Sequence, residues 1–61
     1  MKPDHEITTA RALIHRHGMQ AAAVAEEHVR QCLAQGDQEA AGGWRGVLRA
    51  VNQLRMEARA A

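Results

Sequence analysis

The sequence predicts an all-α fold, a three-helix minibundle, and three observations carry that expectation. Trp44, Val47, Leu48, Val51, Leu54 and Ala58 recur at helical spacing, with the only aromatic residue of the chain at the head of one apolar face. Two glycines, Gly18 and Gly36, stand where periodic segments end. No stretch alternates apolar and polar residues as a half-buried strand does.

The first helix is expected over about 5–17. Asp4 follows Pro3 and suits an N-cap. Ile7, Ala10, Leu13, Ile14 and His17 then fall within one arc at 100° per residue. Gly18 supplies a left-handed residue to end the helix, and Met19 supplies the apolar contact that often follows such a cap. The second helix is expected over about 20–35, with Ala21, Ala22, Ala25, His28, Val29, Cys32 and Leu33 on its inner arc. Glu26 and Arg30 stand four apart on its outer side in the favourable order. Gly36 is the next C-cap and Asp37 the next N-cap. The third helix is expected over about 38–59, with Glu39 and Arg59 suiting the two ends of its dipole.

Two features complicate this pattern. The series Ile7, Ala10, Ile14, His17, Ala21, Ala25, His28, Cys32 keeps helical spacing through Gly18. One long kinked helix paired with the last as a helical hairpin is therefore the alternative, since an internal glycine costs only about 1 kcal/mol. Gly42, Gly43 and Gly46 also fall inside the third segment, where together they cost ~2–3 kcal/mol relative to alanine. Gly43, Gly46 and Ala50 form a row nearly without side chains that suits close approach of another helix, here expected to be a second copy. Otherwise the first turn frays and the regular helix begins near Trp44.

Size sharpens the expectation of a partner. A chain of 61 residues forms one domain, 1–61, and buries only about 60% of its unfolded surface. Alanine supplies much of the 46% hydrophobic content, and Phe and Tyr are absent. The core is expected at Ile14, Val29, Leu33, Trp44, Leu48 and Val51, too few large residues for a comfortable monomer, so an oligomer is expected, most simply a dimer. Cys32 is the single cysteine. It allows no internal disulfide and suits a reducing compartment. Eight basic against seven acidic residues give a net charge of +1, without the basic excess of a general nucleic-acid binder. No apolar run approaches the ~20 residues of a membrane span, and no signal-peptide core follows Met1. The expected compartment is the cytoplasm.

The run Leu13-Ile14-His15-Arg16-His17-Gly18, then Ala34-Gln35-Gly36-Asp37, then Trp44 with Val47 to Val51 and Leu54, resembles a group of short uncharacterised bacterial helical proteins. They share an RHG step, a small-residue second helix, a GD step and a final helix of W..I..A...L pattern. The resemblance covers about Ala10 to Leu54, with Met19-Gln20 where an acidic cap would fit the pattern. It implies a compact helical fold and no activity.

Few residues point to chemistry. His15 and His17 lie about 200° apart on a helix and cannot share a metal ion. His28 and Cys32 are a legitimate i, i+4 ligand pair, and His17 is the one histidine placed to join them. The set lacks a fourth ligand, so no metal and no cofactor is expected. Cys32 beside His28 mimics a nucleophile and its base, but no third group orients them, and the chain is not expected to be an enzyme. Arg45, Arg49, Asn52 and Arg59 form a basic flank of the third helix, opposite the glycine row. Read functionally, the flank binds an acidic partner or a phosphate backbone; read plainly, it is a solvated face balanced by Asp37, Glu39 and Glu57. No helix-turn-helix spacing and no outward aromatic residue favours nucleic acid. The function expected is a small non-catalytic interaction protein that self-associates or docks on a larger protein. A weak nucleic-acid accessory role is the alternative, and a His/Cys metal-site protein comes third.

Overall fold

The structure, a computed structural model, describes the backbone of residues 3–60 and the side chains of residues 5–59. The chain is all-α, with no strand among the described residues. Helix α1 spans Pro3–His17, a short 3-10 turn spans Gly18–Gln20, α2 spans Ala21–Ala34 and α3 spans Gln38–Ala60. Helical geometry thus runs without a gap from residue 3 to residue 34, as in the hairpin alternative. Gly18 nonetheless divides this stretch, because its φ is +58°, a conformation that only glycine adopts without penalty. α1 begins at Pro3, ahead of the expected start, and the cap expected at Asp4 lies outside the described side chains. Met19 makes no cap contact: it is 82% exposed.

The second boundary is set by hydrogen bonds. Gly36 takes φ +77°. Its N–H donates to the Leu33 carbonyl (3.0 Å), and the Asp37 N–H donates to the Cys32 carbonyl (2.8 Å). This is the Schellman pair that closes a helix on a left-handed residue. The Asp37 carboxylate then accepts from the Ala40 N–H at 3.0 Å, satisfying one of the unpaired donors that open α3. Three residues therefore end one helix and start the next, and α3 is regular from Gln38 rather than frayed up to Trp44.

Helix directions follow from which residues meet. His5 and Thr9 share a cleft with Ala40, Gly43, Trp44 and Val47. Further along, Arg11, Ile14 and His15 share one with Leu54, Arg55 and Ala58. Rising numbers on α1 meet rising numbers on α3, so these two helices run parallel. α2 runs in the opposite sense: the tight turn at Gly36 sends α3 back along it, and the His28 ring stacks on Trp44. α3 packs against both other helices, and more extensively against α2.

The core differs from the expected one. Its centre is Ala10 of α1, Ala21 and Ala25 of α2, and Val47 and Val51 of α3. Ala41 is also buried, and Val51 is the largest side chain fully out of solvent. Alanine at each crossing lets the backbones approach closely, which leaves no room for large side chains at the centre. Ile14, Trp44 and Leu48 ride at its edge, half-buried. Val29 is half-buried outside that cluster. Leu33 is not a core residue: it is 45% exposed. It sits on the last turn of α2, opposite a stretch of α3 that offers only Gln38, Glu39, two alanines and two glycines. Arg30 pairs with Glu27 at 3.8 Å, not with Glu26, and both partners are well exposed, so the pair adds little to stability.

Candidate interaction surface

α3 presents one face to solvent. Arg45, Arg49, Asn52, Met56 and Arg59 recur at alternating spacings of four and three residues, which keeps them on one stripe. All five are exposed, and Met56 is 70% exposed in the midst of the cationic residues. None of the three arginines makes an ion pair or side-chain hydrogen bond with another described residue. The acids expected to balance them lie elsewhere. Asp37 caps the helix backbone, while Glu39 and Glu57 fall on the α1 flank of α3, about 120° round the helix from Arg45. Asn52, Met56 and Arg59 line a shallow depression with Arg55. Sequence reasoning passed over Met56 and Arg55 in defining this surface, although the spacing that links Arg45 to Arg59 runs through Met56.

The small-residue row lies on a different side. Gly46 is buried against α1, where a β-carbon would run into the Glu6 carboxylate. Gly43 lines the cleft with His5 and Thr9, and Ala50 lines one with Ile7 and Arg11. The close approach expected of a second copy is thus made by α1 of the same chain. Bare backbone on α3 is what lets a helix carrying Glu6 at the contact lie down.

On that same side, two clefts between α1 and α3 adjoin at Arg11 and Leu54, which line both, and together they are called the groove. The larger part, about 380 Å³, is lined by Ile14, Leu54 and Ala58 together with Arg11, His15 and Arg55. The smaller part, about 240 Å³, adds Ile7, Ala50, Gln53 and Glu57.

The His/Cys constellation does not assemble. Among the described residues, no group of three or more His, Cys, Asp or Glu side chains could hold a metal ion. His17 ends α1 at the level of Leu54 to Ala58. His28 lies at the level of Trp44, its ring stacked on the indole at 4.0 Å between centroids and 9° between planes. About 15 Å of α3 separates those levels. Cys32 is a free, half-buried thiol. Among the described residues no helix is long and apolar enough to cross a membrane. The chain matches no protein-family model, no curated protein and no solved structure.

Proposed function

We propose that this chain is a small non-catalytic interaction protein that docks on a larger protein through the outer face of α3. The observation that carries the reading is the stripe of Arg45, Arg49 and Arg59 with no counter-charge among the described residues, interrupted by the exposed Met56. Arginine and methionine are both favoured where protein surfaces meet, and an uncompensated cationic face seeks an acidic one. Surface area supports the need for a partner. The chain exposes 4647 Å², against about 3,900 Å² expected for a monomer of its mass. The 39 × 23 × 16 Å shape contributes part of that surplus.

A phosphate backbone is the runner-up target. The net charge of +1 gives it little long-range attraction, and Trp44, the only Trp, Tyr or Phe of the chain, is half-buried with one ring face stacked on His28, so α3's outer face carries no such ring for bases. Self-association through the glycine row has lost its support, because α1 lies against that row. The resemblance to short bacterial helical proteins and a cytoplasmic setting belong to the same proposal and add no activity to it.

Charge reversal tests this reading. Arg45→Glu with Arg49→Glu should leave the melting temperature nearly unchanged, each exposed substitution costing within ~0.5 kcal/mol, and should abolish capture of protein partners by the tagged chain. If partners are kept, the face is only solvated. If binding to DNA or RNA appears in the wild type and falls steeply with salt, the phosphate reading replaces this one.

A further inference from the structure

The groove between α1 and α3 has a chemistry that the outer face of α3 lacks. Ile7, Ile14, Ala50, Leu54 and Ala58 give it an apolar lining, and Ile7 is 39% exposed at one end. Arg11, His15 and Arg55 bring basic groups to it, against the single acid Glu57. Neither Arg11 nor Arg55 forms an ion pair with another described residue. Along α1 the groove runs from Ile7 to His15, about 12 Å at 1.5 Å per residue.

The geometry points to an amphipathic helix of a partner protein, its apolar row flanked by Asp and Glu, as the occupant of this groove. Length and charge select it. Anchors at i, i+3 and i+7 of a docked helix span about 10 Å, which the groove accommodates. Acids beside those anchors meet Arg11 and Arg55, where a basic helix would add to an unpaired excess of positive charge. A second copy of this chain fits poorly. The exposed positions of α2 are Ala23, Glu26, Glu27, Arg30, Gln31, Leu33 and Ala34, acidic in part but with a single large apolar residue, Leu33, on the last turn, so α2 offers no row of apolar anchors. The outer face of α3 is cationic. Arg55 borders both this groove and the outer depression, whereas Arg11 lines only the groove, so reversal of Arg11 separates this docking from the one at Arg45 and Arg49.

The test uses the full chain and two synthetic helices with the same leucine row, one carrying Glu and the other Lys beside it. Backbone-amide NMR titration reads both site and affinity. The Glu peptide should shift resonances of Ile7, Arg11, Ile14, Leu54 and Ala58, and the Lys peptide should bind about tenfold more weakly or worse. Arg11→Glu with Arg55→Glu should reverse that preference. Arg11→Glu alone, at an exposed site, should weaken the Glu peptide while circular dichroism stays helical, which keeps the test open if the double variant does not fold. Gln31→Ala, on the exposed side of α2 away from both surfaces, should leave peptide binding unchanged. Equal affinity for both peptides, shifts confined to the Arg45–Arg49 face, or no binding at millimolar peptide would overturn the proposal. So would displacement of the same resonances by diluting the chain alone, which would make a second copy the occupant. Groove shifts with decanoate as strong as with the Glu peptide would make it a small-anion site instead.

Discussion

Gly42 offers a sharp test of the helix on which both surfaces are built. It lies inside α3, one turn before Arg45 on the same outward face, and a β-carbon added there meets nothing within 4 Å. Its φ is not positive, so alanine can adopt the backbone without strain. Replacing it removes the entropic penalty of an internal helical glycine, about 0.8–1.0 kcal/mol. For a domain of this size, 1 kcal/mol moves the melting temperature by roughly 4–8 °C. Gly42→Ala should therefore melt several degrees above the wild type in a thermal scan followed by circular dichroism. Gly46→Ala gains the same propensity but must displace the Glu6 carboxylate, the far end of a flexible side chain, so its gain should be smaller. Gly46→Leu should be strongly destabilising, because the position is buried against α1 and a full side chain must displace more than the Glu6 carboxylate. Should Gly42→Ala lower the melting temperature instead, the start of α3 is either not regular helix in solution or is covered by another chain. The outer face would then not be a free surface.

Two further outcomes follow from the same geometry. Trp44→Ala should cost about 2–4 kcal/mol, less than the loss of a fully buried Trp, because the ring is half-buried at the core edge and stacked on His28; a melt within a few degrees of wild type would refute its anchoring role. Gly18→Ala should cost about 1–2 kcal/mol, the penalty of a left-handed residue with a β-carbon, although open space surrounds the site. An unchanged chemical-denaturation midpoint would show that α1 and α2 are not divided there.

Much of the architecture was legible in local signals. The Gly36-Asp37 step could be read as a stop and a start because both roles depend on neighbouring backbone: a left-handed residue that glycine tolerates, and a short carboxylate that reaches the Ala40 N–H three residues on. Gly18 was ambiguous, since apolar spacing continued past it. Its positive φ reflects where α1 must go to lie along α3, which no local pattern records. The basic stripe was visible because helical spacing alone sets which residues share a face. The groove was not, because it exists only where Arg11 and His15 come beside Leu54 and Arg55, some forty residues apart in sequence.

The chain by itself therefore determined its helical segments, the boundary at Gly36, and the faces they carry, because hydrogen bonds within four or five residues and a 3.6-residue period set all three. Tertiary structure decided which apolar residues form the core and what the small-residue row is for. Alanines at the crossings draw the backbones together, so Ala10, Ala21 and Ala25 displace Leu33 and Trp44 from the centre. Gly46 is spent on contact with Glu6 of α1. Sequence spacing shows that a face is smooth; only packing shows which neighbour lies against it.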